Sequence, residues 1–334
     1  MRVNCEKTKF MVINGKEHDN LDLLVGNLIV KKCEHYMYLG SPFTSDGLVS
    51  SAIKVHANTR MCQALKYVSF CKKNNDIPFY IKKKVFDAAL TSSLLYGCET
   101  WLEGDVQPVN KLYMMCLKHL LGVRSSTTNN LCMVELGYPT VKALIKARQR
   151  KFLKTMFNER RDMVDDPFNF TINNILNENI SSAKYVKSMI DKDDDDISIS
   201  LRESKLKIIN AHDSYRCMHY KEINPDLSFS SVYGPGHHVN ELERISWTKL
   251  RLGAHSLAIE TGRWNRRGQG RLPREQRLCT CGDIQTERHV IETCSLTNPL
   301  RQHYGFTTLE GLMVQNVNHA QVCNIVHQIL NIYK

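Results

Sequence analysis

Three cysteines and a histidine set the tightest condition on how this chain can fold: Cys279-x-Cys281-x7-His289-x4-Cys294. Three thiolates and one imidazole complete a tetrahedral zinc shell and leave no position for a bound water. The spacing therefore reads as a structural metal site and not as a Lewis-acid catalyst. Gly282 follows the Cys-x-Cys pair and permits a sharp turn around an ion. Residues 287–293 have helical composition, which puts His289 and Cys294 about one turn apart. Arg277 and Arg288 are close enough in sequence to favour thiolate over thiol. The alternative is three free cysteines and a surface histidine, in a chain that holds twelve cysteines.

A basic segment runs straight into this motif. Between Arg244 and Arg277 stand eight arginines and one lysine against two glutamates, in a chain of 334 residues with net charge +11. That balance suits a polyanionic partner, RNA or DNA. The candidate phosphate contacts are Arg263, Arg266, Arg267, Arg271, Arg274 and Arg277, in a stretch punctuated by glycine. Trp264 among them offers a face on which a base can stack. The alternative for this segment is a solvated loop. No apolar run approaches the ~20 residues that span a bilayer, so no membrane partner is expected. The N-terminus lacks the apolar core of a secretory signal. Dispersed cysteines without framework spacing fit a reducing compartment, nuclear or cytoplasmic.

Hydrophobic periodicity predicts a mainly α fold. Lys9 to Ile13, Leu28 to Val30 and Tyr36 to Leu39 are β-like runs, the last stopped by Gly40-Ser41-Pro42. They predict a small N-terminal antiparallel hairpin or sheet, too small to stand alone. From Leu48 the period becomes helical. Ile53, Ala57, Met61, Ala64, Leu65 and Val68 trace one face. A helix starting at Asp76-Ile77-Pro78 turns Ile81, Val85, Phe86, Ala89, Leu90 and Leu94 inward. Val109, Leu112, Cys116, Leu117, Leu120 and Leu121 line a third, closed by Gly122. A fourth opens at Pro139, and its polar side carries Lys142, Lys146, Arg148, Arg150, Lys151 and Lys154 with no acid up to Phe157, which inclines that face toward phosphate contact. Asp162 to Pro167 and Asp191 to Asp196 read as acidic turns, the second as a flexible loop, and His237-His238 as surface residues in another loop. Leu312, Val317, Val322, Ile325, Val326 and Ile329 give the tail a helical stripe.

Several motifs, taken in order, resemble the C-terminal part of non-LTR (LINE-type, jockey-like) retrotransposon reverse transcriptases. Asn4-x2-Lys7-Thr8-Lys9 is similar to the family's segment after the catalytic strands, and Tyr38-Leu39-Gly40 to its primer-grip turn. Leu94-Leu95-Tyr96-Gly97-x-Glu99-x-Trp101 resembles a helix end of the thumb. The arginine-rich stretch with the Cys-Cys-His-Cys knuckle resembles the terminal zinc-binding region. Residues 1–124 and 244–304 carry the likeness. It implies a palm-end, primer-grip-like β segment over 1–47 and a helical thumb-like region over 48–160. A helical linker with acidic loops follows over 161–243, then the arginine-rich segment and zinc knuckle over 244–304, then a C-terminal helix over 305–334.

The resemblance also implies roles. Tyr38, Leu39 and Gly40 would sit near the primer end, although hairpin packing is the competing explanation for Tyr38 and Leu39. Lys7 and Lys9 would contact phosphates or brace the palm, and Tyr96 and Trp101 would be buried in the thumb. The family's paired aspartates hold two metal ions for nucleotidyl transfer. They precede the segment matched by Asn4-x2-Lys7-Thr8-Lys9, where only Met1-Arg2-Val3 stand here, and no Tyr/Phe-x-Asp-Asp occurs. Magnesium then belongs to a full-length polymerase, with the missing N-terminal part as a partner, and this chain alone is expected to be a nucleic-acid-binding fragment without polymerase activity. The alternative is a stand-alone zinc-stabilised helical module that binds RNA or DNA.

Overall fold

The computed structural model describes residues 4, 7–15, 22–26, 28–160, 177, 181–235, 239–264, 270–314 and 318–334. Among the described residues the strands are confined to the first 44 positions. β1 (Lys9–Phe10) pairs parallel with β3 (Leu28–Lys32), and β2 (Leu23–Val25) pairs antiparallel with the other edge of β3. The parallel pair departs from the all-antiparallel expectation because β2 reverses the chain and β3 reverses it back into the direction of β1. β4 (His35–Tyr38) and β5 (Ser41–Thr44) form a separate antiparallel hairpin. Gly40-Ser41-Pro42 does not end the sheet structure as expected, since Leu39 and Gly40 make a two-residue turn and Ser41 starts the return strand. Both turn residues have positive φ, 48° and 84°, as the favoured hairpin turns require.

Helices make up most of the rest: α1 (Val49–Lys73), α2 (Phe79–Val85), α3 (Gln107–Leu121), α4 (Asn129–Leu136), α5 (Val141–Arg160), α6 (Ser181–Asp191) and α7 (Asp196–Ile209), then α8 (Tyr215–Ile223), α9 (Glu241–Arg251), α10 (Ala258–Thr261), α11 (Glu287–Glu292), α12 (Asn298–Tyr304), α13 (Leu309–Met313) and α14 (His319–Ile332). No helix among the described residues is long and apolar enough to cross a membrane. Two compact units are each assembled from pieces distant in sequence. One takes Met1–Leu65, Ala89–Tyr113 and Thr140–Ile199; the other takes Lys66–Ala88, Met114–Pro139 and Ser200–Lys334.

In the first unit, α1 buries Ile53, His56, Ala57 and Ala64, while Met61 and Leu65 are exposed. These two lie about 80° and 120° round the helix from Ile53, outside the stripe that His56 shares. His56 Nε2 lies 3.0 Å from the Leu94 carbonyl, its ring stands edge-on to buried Trp101, and burial lowers its pKa. α5 packs against α6 through Leu153, Val186 and Met189. Its cationic face is partly spent within the protein. Arg150 reaches Asp196 through Nε (2.9 Å) and Nη2 (3.3 Å) and donates to the Met189 and Lys192 carbonyls. Lys154 pairs with Asp193 at 2.7 Å. The acidic turn expected to be a free loop is thus the counter-charge of this helix, and Asp195 caps α7 by accepting from the Ile197 and Ser198 N–H groups.

The second unit is built round α9, which packs on α14; Ser246 meets His327 at 2.8 Å and Asn324 donates to Glu243 at 2.8 Å. Two arginines of the basic stretch turn inward here. Arg244 pairs with Glu241, which also holds buried Lys82. Arg251 grips Glu135 of α4 through Nε (2.8 Å) and Nη2 (3.1 Å), and the Tyr220 and Tyr233 hydroxyls donate to the same carboxylate. Thr248 bridges the two pairs by meeting the Tyr233 hydroxyl and accepting from Arg244. Such a network is weak evidence for net stability, yet breaking one member strands a buried charge. Gly122 ends α3 at φ +75°, and a Cβ there would fall 2.7 Å from Ile245, so backbone conformation and space both demand glycine.

Candidate metal centre and basic cleft

Local sequence brings the four ligand candidates together. Leu278 and Ile284 form a single antiparallel bridge, with the Cys279 N–H donating to the Asp283 carbonyl at 2.7 Å. The Gly282 N–H returns to the Cys279 carbonyl at 3.0 Å, and Gly282 takes φ +100°, a left-handed value that a side chain disfavours. This tight loop carries Cys279 and Cys281. α11 starts beside it, capped by the Thr286 hydroxyl, which accepts from the His289 N–H at 3.0 Å. Cys294 stands just past the helix end with its N–H on the His289 carbonyl. Arg301 fastens the Cys294 carbonyl at 2.6 Å.

Cys279 Sγ lies 3.7 Å from Cys294 Sγ, Cys281 Sγ lies 3.8 Å from Cys294 Sγ, and His289 Nε2 lies 3.2 Å from Cys281 Sγ. All four ligand atoms fall within 4.8 Å of one another. A tetrahedral ion about 2.3 Å from each sulfur spaces the sulfurs about 3.8 Å apart. The observed spacings match that and are far from a disulfide at about 2.05 Å. His289 Nδ1 lies 3.1 Å from Thr293 Oγ1 and 3.7 Å from the Asp283 carboxylate, partners that favour the tautomer leaving Nε2 free as a ligand. Burial pushes the Cys279 thiol up, but the Cys281 N–H and the neighbouring His289, Cys281 and Cys294 side chains bring it down to about 6, which favours the thiolate that a metal ligand requires. Half-buried Tyr333, which the sequence did not single out, has its hydroxyl enclosed beside Cys294; burial and that sulfur raise its pKa. The Cys3His group can hold a metal ion.

The arginine-rich segment separates into different roles. Arg266 and Arg267 lie outside the described residues. Arg277 braces the loop base. Its Nε and Nη2 donate to the Leu272 carbonyl (3.1 and 2.7 Å) and its Nη1 to Ile259 (3.0 Å), while the Leu272 N–H closes on Gly262 (2.9 Å). Arg263, Trp264 and Arg271 line a cleft of about 600 Å³ with Arg216 and the 210–213 turn. It adjoins a hollow of about 370 Å³ that Arg263, Arg271 and Asp213 also line, together with Arg274, Arg277 and Tyr215.

Arginines outnumber carboxylates in this cleft, where Asp213 is the lining acid. Glu260, fully buried, pairs with Arg216 at 2.7 Å and Arg263 at 3.1 Å. The Arg271 and Arg274 side chains make no hydrogen bond or ion pair among the described residues; Arg263 and Arg274 instead lie over the Tyr215 ring at 5.2 and 5.8 Å. Arg124 lies 4.0 Å over the Trp264 ring. Burial and then neighbouring Arg216 lower the Arg124 pKa, and burial and then Arg263 lower that of Arg277. Arg124, Arg216 and Tyr215 escaped sequence reading because they come from outside the basic stretch. Buried Glu287, the first residue of α11, accepts from the Tyr215 hydroxyl and lies 2.8 Å from His255 Nε2. The helix that carries His289 is thereby tied to the aromatic floor of the arginine cluster.

Other candidates gather in the first unit. Lys7 and Lys9 are exposed. Tyr38 is 60% and Leu39 77% exposed, so neither packs into a hairpin core. Leu39 is a bulky residue at positive φ, a strained conformation. Tyr96 is half exposed and not buried as expected, because its hydroxyl donates to the Leu39 carbonyl at 2.9 Å and its ring lies against Gly40. A Cβ on Gly97 would come within 2.8 Å of Ser41 Oγ. The Tyr38-Leu39-Gly40 and Tyr96-Gly97 motifs therefore meet, beside a cleft of about 900 Å³ whose aromatic lining includes Tyr38, Phe43, Tyr96 and Trp101. Comparison of the chain with protein-family models, curated proteins and solved structures finds no match.

Proposed function

We propose that the chain is the nucleic-acid-holding C-terminal part of a non-LTR retrotransposon reverse transcriptase, with structural zinc in its Cys3His centre. The observation that carries this reading is the convergence of Arg263 and Arg271 with Trp264 on one cleft, and with Arg274 on the hollow that adjoins it. Clustered guanidinium groups that outnumber the nearby acids repel one another, and phosphates relieve that repulsion while releasing condensed counterions. Trp264, with Arg124 against its ring, supplies a stacking surface for a base. Zinc supplies folding energy for the knuckle when bound. The chain's own Glu287 and Tyr215 pass that order to Arg263 and Arg274. The four motifs in family order, with Tyr38-Leu39-Gly40 touching Tyr96-Gly97, support the reverse-transcriptase origin.

A second reading is a stand-alone zinc-stabilised RNA- or DNA-binding module. It is favoured by the ligand cluster, the cleft and the α9 network all lying within one compact unit. The DNA upstream of the Met1 codon separates the two. An upstream frame encoding paired catalytic aspartates supports the polymerase origin, and a promoter directly before Met1 with no such frame supports the module. Binding itself is tested by fluorescence anisotropy with labelled single-stranded RNA and DNA. Absence of binding at low salt would refute both readings.

A further inference from the structure

The cleft holds a carboxylate that phosphate binding alone does not call for. Asp213 is exposed and lines both hollows with Arg263 and Arg271. It forms no ion pair among the described residues, whereas buried Glu260 already serves Arg216 and Arg263. An acid at that place weakens the attraction for a phosphate. It becomes useful if it faces a group that donates hydrogen bonds. Trp264 and the 210–213 turn line the same larger cleft, so the edge of a base stacked on the indole has that turn as a candidate partner.

We infer that the cleft seats one unpaired guanine, with its ring on Trp264, its phosphates on Arg271 and Arg274, and its Watson–Crick edge on Asp213. The inference rests on the nucleic-acid reading above and adds base preference to it. Guanine is the base whose Watson–Crick edge presents two adjacent N–H donors, N1–H and the N2 amino group. An ionised carboxylate accepts both. Cytosine and adenine offer one donor beside an acceptor that a carboxylate repels, and uracil offers one donor between two carbonyls. In a duplex these edges are already paired, so the preference applies to single strands, loops and ends.

The test measures binding of the full chain to a uridine oligomer and to the same oligomer carrying one central guanosine or inosine. The guanosine oligomer is expected to bind roughly tenfold tighter than plain uridine, the scale of a charge-assisted hydrogen-bonded contact. Inosine, which lacks the N2 amino group, falls between. Asp213→Asn keeps the shape of this exposed side chain and brings the guanosine oligomer down to the uridine value without weakening uridine binding. Equal affinities in the unaltered protein, or a preference that survives Asp213→Asn, overturn the inference while leaving the nucleic-acid reading in place. Failure of every oligomer to bind overturns both.

Discussion

Removing the Glu135 carboxylate should strand one buried arginine charge and part of the hydrogen bonding of two buried tyrosine hydroxyls. Glu135 is fully buried and accepts four hydrogen bonds, two from Arg251 and one each from the Tyr220 and Tyr233 hydroxyls. In Glu135→Leu, Tyr233 keeps Thr248 and Arg251 keeps the Ile223 carbonyl at 3.3 Å, but the guanidinium loses its counter-charge. Burial lowers the Arg251 pKa and the Glu135 carboxylate more than reverses this, so the arginine stays charged inside the protein. An unpaired buried charge costs about 3–5 kcal/mol. A partly orphaned hydroxyl adds about 1 kcal/mol. The expected loss is about 5 kcal/mol, or about 2.5 M in urea midpoint for a slope near 2 kcal/mol/M. Urea unfolding followed by circular dichroism measures it. Glu135→Leu with Arg251→Met should recover most of the loss, since apolar replacement of a whole buried pair is often neutral. A single variant that loses under about 1 kcal/mol, or a double variant as unstable as the single, would refute the network argument.

Other outcomes follow from particular residues. Purified chain should carry about one zinc, lost when Cys281→Ser is combined with His289→Ala, as read by elemental analysis. His56 has a pKa lowered by burial, so the unfolded state takes up its proton first; first-unit stability present above about pH 6.5 should decline as pH falls through the lowered folded value. Urea midpoints at pH 7.5 and 5.5 should show this decline, and it should shrink in His56→Leu. Leu39→Gly relieves the positive-φ strain and should raise the thermal midpoint by about 1 kcal/mol in equivalent stability, whereas Tyr96→Phe, which unties the Leu39 carbonyl, should lower it by a similar amount.

Sequence periodicity was most legible where burial follows one strict helical stripe. All six apolar positions picked on α3 are buried, and the tail buries Leu312, Val322, Ile325, Val326 and Ile329; Val317 and His237-His238 lie outside the described residues. The Cys3His cluster was legible because all its ligands come from sixteen consecutive residues. Charge was the poorest guide. A run of arginines does not disclose that Arg251 answers to Glu135, 116 positions away, or that Arg277 clamps carbonyls. Nor did six cations on α5 disclose Asp193 and Asp196 as the partners of Lys154 and Arg150. Met61 and Leu65 were misplaced because an apolar residue on the edge of a stripe looks the same in sequence as one at its centre. Tyr96 was expected inside because its contact with the Gly40 turn joins segments 56 residues apart, which no local pattern reports.

The most direct test of the account is the salt dependence of single-strand binding by the full chain and by Arg271→Ala/Arg274→Ala. Each phosphate contact contributes a log–log slope of about −0.7 on single strands, so four contacts give roughly −3. The Arg271 and Arg274 side chains make no hydrogen bond or ion pair among the described residues, and Arg274 only overlies the Tyr215 ring, so their loss should leave the fold intact, flatten the slope by about 1.4 and weaken unrelated sequences alike. An unchanged slope in that variant would contradict the account and leave the arginine segment as a solvated loop.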